Sequence, residues 1–411
     1  MTRMTPGSDV LIVGGGLNGP ALALALAGAG LTVTVIDAQK PRARAEAAFD
    51  GRAYALAIAS KRLLDAIGVW PRVAYRVQPI LHIKASDGRA GEGPSPFAPD
   101  FDAGEIEEGP MGFMLEDRHL YAAFLDAMEA EPRITHLPGR SVTAQEADGA
   151  VATVTLDDGR VLSGRLIAGC DGRGSGTAAR AGIARTGWSY GQTAIVCAVE
   201  HDRPHDATAH QFFMPTGPLA ILPLQGNRSS IVWSEADENA RAIMALDDQA
   251  FLDVLRPCFG DFLGPTRLVG PRFTYPLSLS LAERWTAPRV VLVGDAAHGV
   301  HPIAGQGLNL GFRDVGALAE VLVEAQRRGE DIGAPDVLAR YQAWRRFDAT
   351  MLGLGMDAVN RLFSNDIGIV RVARDLGMGF VNAVPGLRRA FIRQAAGLSG
   401  DVPRLLAGKP L

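Results

Sequence analysis

The chain has 411 residues, 47% of them hydrophobic, with 48 Gly and 25 Pro, so it buries a large core and is neither disordered, collagen-like nor a small disulfide scaffold. Forty-one Lys and Arg against 45 Asp and Glu leave a net charge of −4, which gives nucleic acid no overall basic field to bind. Cys170, Cys197 and Cys258 are too scattered for a disulfide framework or a metal set; a reducing, cytoplasmic setting without a bound metal is the expectation.

No cleavage-type sequence opens the chain, and no apolar window reaches the roughly 18 uninterrupted residues of a spanning helix, so neither a signal peptide nor a transmembrane segment is expected. Residues 9–13 form a short apolar run that predicts a buried parallel strand, followed by a glycine turn and an Ala/Leu-rich helix over 20–29. Residues 31–36 alternate Val and Thr and end at Asp37, completing a β-α-β unit. Helical spacing recurs at 60–69 and 117–130, with an irregular excursion over 85–110 between them. Residues 150–156 and 160–167 predict a hairpin around Asp157-Asp158-Gly159. From 186 to 276 the pattern is strand-like, with one helical stretch near 247–256. A buried strand over 289–293 precedes a Gly-rich loop and a helix over 308–326, and everything after Pro335 has a helical pattern.

Two tracts carry chemistry. Gly14-x-Gly16-x-x-Gly19 lies between the first strand and its helix, with Asp37 23 positions after Gly14. This is the dinucleotide fingerprint: the glycines let backbone amides approach a pyrophosphate, and Asp37 accepts from a ribose hydroxyl. The pattern alone does not separate FAD from NAD. The second tract runs from Gly294-Asp295-Ala296-Ala297-His298 to His301-Pro302-Ile303-Ala304-Gly305-Gln306-Gly307-Leu308-Asn309. Asp295 at a strand end suits a ribityl hydroxyl, and the Gly-rich helix start suits a polar ring edge. His298 and His301 flank this tract and are read as bonding backbone. Trp188, Trp233 and Cys197 read as core packing. His210 and Tyr190 are weak candidates for catalysis.

Together these residues resemble the group A flavoprotein aromatic hydroxylases of the para-hydroxybenzoate hydroxylase fold, and within them the ubiquinone-biosynthesis hydroxylases of the 2-octaprenyl-6-methoxyphenol hydroxylase type. Further matches are Phe49-Asp50-Gly51-Arg52-Ala53, Glu116-Asp117-Arg118-His119-Leu120, Gly169-Cys170-Asp171-Gly172 with Ser175, the stretch from Gly217 to Leu224, and Leu362-Phe363-Ser364-Asn365. The resemblance implies an α/β fold: a Rossmann-like FAD-binding domain (1–75, 105–185, 277–345), an inserted antiparallel β-sheet substrate domain (76–104, 186–276) and C-terminal helices (346–411). It implies FAD contacts from Gly14, Gly16, Gly19, Asp37, Arg52, Arg118, Asp171, Asp295, Pro302, Gly305, Gly307 and Asn309, with His301 and Gln306 as candidate catalytic residues. Departures from the family are Cys170 where Ala is common, Ala178 where Arg is common with Arg180 nearby, and Met356-Asp357 where Thr-Asp is usual.

The activity implied is hydroxylation of a prenylated phenol by O2 through a flavin C4a-hydroperoxide. NADPH or NADH, or another reductant, supplies electrons; no second fingerprint offers a dedicated nicotinamide site. The alternatives are a hydroxylase of soluble phenols or polyketides and a low-turnover flavin-binding scaffold of a quinone-synthesis complex. Disulfide reductases are disfavoured because the nearest cysteines are 27 residues apart, and halogenases because there is no Trp-x-Trp. Residues 367–411 carry a local +5. Two readings stay open for that segment: contact with the inner face of a membrane or a partner, or a solvated helix face packed on the FAD domain.

Overall fold

The computed structural model describes residues 7–40, 49, 52–91, 99–301, 305–364, 380 and 384–411. The Val- and Ile-rich strand Ser8–Val13 lies between Val33–Asp37 and Val161–Gly169, both parallel to it. Ile134–Pro138 extends the sheet on one side and Val290–Leu292 on the other. Continuous apolar runs suit strands covered on both faces. The helix Asn18–Gly28, buried from Gly19 to Ala27, provides one of the covers. The register brings Val13, Gly169 and Leu292 level, so the loops after all three open at the same sheet edge. Cys170 N donates to Val13 O at 2.7 Å and Val293 N to Gly169 O at 2.9 Å, extending the alignment one step further.

A second sheet runs in the order His298–Gly299, Thr266–Ala282, Arg185–His201, Arg228–Ala236, Gly217–Leu224, Thr208–Met214, His82–Asp87, Asp100–Asp102. All its pairs are antiparallel except Thr208–Met214 with His82–Asp87. The two 17-residue strands Arg185–His201 and Thr266–Ala282 pair along their lengths, with irregular register between Ser189 and Thr193 and between Val196 and Ala198. A small third sheet joins Ala53–Ala57, Gly112–Glu116 and Gln78–Ile80.

The local differences from expectation have physical causes. The excursion over 85–110 contributes to two strands at one side of the second sheet, the end of His82–Asp87 and the edge strand Asp100–Asp102, because its short segments pair with a sheet formed far away in sequence. The single helix expected near 247–256 is two, Asp237–Met244 and Asp248–Phe259; the first buries only Ala240, too small an apolar signal to read. The helical pattern after Pro335 gives Pro335–Phe363 and Pro385–Ala395, but the chain then turns through Gly397, Gly400 and Gly408, all at positive φ. Trp233 is in the core, whereas Trp188 is 37% exposed, because its end of the strand projects beyond the second sheet's packed layer. Trp188 Nε1 donates to Asp357 at 3.1 Å.

Candidate active site

The aligned strand ends open onto a cavity of about 730 Å³. Gly16, Leu17, Asn18, Gly172, Arg173, Asp295 and the run from Gly305 to Asn309 line one part of it. Elsewhere the wall is one face of the second sheet, including Ile83, Ala85, Ala209, Phe213, Ala220, Leu222 and Val232. Strand alternation places these side chains on a common face across paired strands.

Two helix N-termini meet the cavity without side-chain caps, those of Asn18–Gly28 and Gln306–Arg327. Gly305, just before the second, has φ +63°, a left-handed conformation that favours glycine. By contrast, Ser175 and Asp247 cap the helices that follow them. Uncapped first-turn amides lack acceptors and carry partial positive charge, so they suit a phosphate or an electron-rich ring edge.

The glycines show how closely a dinucleotide fits. A Cβ on Gly19 would lie 1.9 Å from Gly14 O, and one on Gly14 2.4 Å from Cys170 O. On Gly16 it would meet nothing within 4 Å. Gly14 and Gly19 therefore permit tight packing, and Gly16 keeps the approach to the amides open. Asn18 Oδ1 is buried with no partner among the described residues. Asn18 packs beneath Gly294 and Gly311, where any Cβ would strike it, so it joins the first helix to the Asp295 loop.

Of the residues singled out from sequence, Gly16, Asp295, Gly305, Gln306, Gly307 and Asn309 line the cavity. Pro302 lies outside the described residues, as do Asp50, Gly51 and Asn365 of the matched motifs. Asp37 is buried at its strand end, accepting from Gln39 N at 3.0 Å and Tyr121 Oη at 3.3 Å. Arg52 sits 3.8 Å from Asp117, and Arg118 donates to Glu116 at 2.8 Å; neither is in the cavity wall. The Asp171 carboxylate accepts from Ser175 Oγ at 2.5 Å and from Thr177 N and Oγ1 at 2.9 Å, holding the turn into the next helix. Arg180 reaches Gln145 Oε1 and Val142 O, both at 3.2 Å. Asn309 spends its amide on Ala57 N, Ser60 Oγ, Ala55 O and Gly305 O, stapling the strand Ala53–Ala57 to the helix start.

The histidines differ from expectation. His298 Nε2 pairs with the Asp314 carboxylate at 2.5 Å instead of with backbone, since the adjoining helix presents an acid where the loop turns inward. His301 is 1% exposed, packs edge-on to Tyr190, and has neither ring nitrogen partnered among the described residues. Burial first, and Arg173 second, push His301 down to about 4. Burial likewise pushes His210 down to about 4. Both imidazoles take up protons in the unfolded chain near the ordinary 6.5 but resist doing so when folded, so stability falls as pH drops from about 6.5 towards 4. Urea midpoints between these pH values are expected to fall less steeply in a His301→Phe, His210→Phe double variant. An unchanged slope would place the titrating groups elsewhere.

Sequence reasoning missed a buried charge cluster behind the loop. Asp314 is 0% exposed; it accepts from Gly294 N at 3.0 Å and Arg345 Nε at 2.9 Å, besides His298. Burial alone would raise its pKa, but His298 and Arg345 outweigh that and hold it below the usual carboxylate range. The available signal was Arg313-Asp314 inside an otherwise apolar helical stretch. Tyr275, also missed, stands on the cavity face of its strand.

Comparison with known proteins agrees with this geometry. The family described as FAD binding domain matches residues 7–351. The chain is 48% identical to ubiquinone hydroxylase UbiL of Rhodospirillum rubrum, over 98% of this chain and 94% of that protein. It is 36% identical to 3-demethoxyubiquinol 3-hydroxylase of Escherichia coli, over 95% and 99%. The crystal structure of p-nitrophenol 4-monooxygenase PnpA from Pseudomonas putida DLL-E4 shares the fold, with a TM-score of 0.80 and 19% identity over 97% of this chain and 99% of that one.

Proposed function

The chain belongs to the FAD-binding-domain family and is a flavoprotein aromatic hydroxylase; from that premise we propose that it hydroxylates the ring of a prenylated phenol in ubiquinone biosynthesis, using O2 and a reduced nicotinamide donor. The observation that carries this reading is a cavity that joins two uncapped helix ends and Asp295 to a broad apolar sheet face. The named activities of the 48% and 36% identical relatives support it.

When bound, FAD supplies the oxygen activation that ring hydroxylation requires. The amides at Gly16–Asn18 would hold its pyrophosphate, Asp37 a ribose hydroxyl and Asp295 the ribityl chain, with the Gly305–Asn309 helix start at the ring edge. The second sheet excludes water from the reacting ring, which suppresses release of peroxide. Burial pushes the Tyr275 phenol up to about 12 despite Arg173, so at neutral pH its Oη keeps its proton and donates to a substrate oxygen. Gln306 lines the site directly, whereas His301 is buried against Tyr190.

On this reading residues 1–75, 105–185 and 277–345 form the FAD domain, 76–104 and 186–276 the substrate domain, and 346–411 the C-terminal helices. The nicotinamide docks transiently on the FAD domain. Contact with the inner membrane face through the basic C-terminal region fits a lipophilic substrate; among the described residues no helix is long and apolar enough to cross a membrane.

The test is to supply purified holoenzyme with NADPH or NADH in air and measure hydroxylated product against peroxide. A prenylated phenol is expected to raise product at the expense of peroxide. Coupling only with unprenylated phenols would make the chain a soluble-phenol hydroxylase. Peroxide release indifferent to every phenol would leave a flavin scaffold.

A further inference from the structure

The sequence left two readings open for the segment that holds the helix Pro385–Ala395: contact with a membrane or a partner, or a solvated face packed on the FAD domain. Phe391, Ile392 and Ala395 line the cavity. Ile392 is buried in the cluster that holds Ile80, Met111 and Ala209 at the cavity's apolar part, while Phe391 is 55% exposed at the surface. The same helix therefore forms a cavity wall and a piece of the outer surface.

The sheet beneath is long. From Tyr275 on Thr266–Ala282 to Ile83 on His82–Asp87 the floor crosses five strand spacings, about 24 Å at ~4.8 Å each. Tyr275 lies at the Arg173–Asp295 end, since those two charges act on it. The helix lies at the other, against Ile80 and Ala209. A phenol ring beside Tyr275 leaves most of that floor for something apolar.

The attachment of the helix is uneven. At its C-terminal end Ala396 O accepts from Ala59 N at 3.1 Å, and Gly397 turns at φ +74°. Along its body two ion pairs tie it to the segment just before Met111, which also lines the cavity: Arg388 Nε to Glu105 Oε2 at 3.0 Å, and Arg393 to Glu108. Both pairs are partly solvated, and such pairs are weak and screened by salt.

Resting on the hydroxylase reading above, we propose that Phe391, Ile392 and Ala395 wall a separate subsite for the hydrocarbon chain of the substrate, and that the Arg388–Glu105 and Arg393–Glu108 pairs latch this wall over it. Chain entry requires the helix to swing on its Ala396–Gly397 end. A phenol without a chain reaches Tyr275 without disturbing the latch. Entry of the chain-bearing phenol is therefore the step that depends on ionic strength.

The experiment uses oxidised holoenzyme and the perturbation of flavin absorbance to follow binding of two probes, a phenol carrying a prenyl chain and the same phenol without it. In a Glu105→Gln, Glu108→Gln double variant the association rate of the prenylated probe is expected to rise about fivefold, and its salt dependence to vanish. The unprenylated probe should bind as in wild type. The charge swap Glu108→Arg with Arg393→Glu should bring the rate back towards wild type. Ala395→Trp, which fills the subsite, should lower the ratio of prenylated to unprenylated affinity at least tenfold. If both probes bind wild type but neither the latch variants nor Ala395→Trp separate them, the subsite is wrong and the hydroxylase reading stands. If neither probe perturbs the wild-type flavin, the hydroxylase reading itself fails.

Discussion

Gly19→Ala is expected to purify as a folded but nearly colourless protein. The new Cβ would lie 1.9 Å from Gly14 O, and a backbone carbonyl in a turn this tight cannot rotate away. Gly14 is itself fixed against Cys170 and has φ +113°. The helix start must therefore retreat, drawing its amides away from the pyrophosphate. Each charge-assisted bond lost is worth about 1.5–3 kcal/mol, so losing two weakens FAD binding by roughly 100-fold or more. Gly28→Ala is the control: it lies in the same helix, its Cβ meets nothing within 4 Å, and it should retain flavin with unchanged or slightly higher stability. Flavin content per chain, with near-ultraviolet circular dichroism to verify folding, decides the matter. A fully yellow Gly19→Ala protein would show that the pyrophosphate is held elsewhere.

The second large effect is on stability. Asp314→Asn keeps the shape of the side chain but leaves Arg345, 1% exposed at its side chain, without its buried counter-charge. Breaking a buried pair by removing one partner costs about 3–5 kcal/mol. In a chain of this length that lowers Tm by about 4–6 °C. Because the folded state holds the Asp314 carboxylate low, its contribution is complete above the unfolded carboxylate range and is lost as pH falls through the folded value. The gap between wild type and variant should therefore close in acid. Asp348→Asn alters the more exposed end of the same cluster, where Arg345 Nη1 binds at 2.5 Å, and should cost less. Equal Tm values for wild type and Asp314→Asn at neutral pH would rule out this account.

What could be read beforehand divides by how local its cause is. The glycine fingerprint and the Gly294–Asn309 tract were legible because a backbone that must approach a ligand restricts residue type at fixed short spacings. The parallel strand at Val290–Leu292 was legible for the same kind of reason, a short apolar run bounded by turns. The Asp314–Arg345 pair was not, because its partners are 31 residues apart on different helices and each looks like an ordinary surface charge. Asp171 was singled out by motif, but its bonds to Ser175 and Thr177, which hold the turn into the next helix, were not legible. Trp188 shows the converse limit: period-two alternation indicates a strand but not where the sheet beneath it ends.

The paired strands Arg185–His201 and Thr266–Ala282 have a mechanical consequence. At one end Arg185 donates to the carbonyls of Asp295 and Ala296, beside the proposed flavin site; at the other the same two strands form one side of the substrate-side sheet. They act as a girder shared by both halves, about 55 Å long at the usual rise per residue. Hinge-like rotation of one half against the other would have to bend that girder, and its soft joints are its two register irregularities, one around Gly191, at φ +65°, the other between Val196 and Ala198. Strand pairing of this length thus resists any change in the distance between the Asp295 loop and the far part of the second sheet.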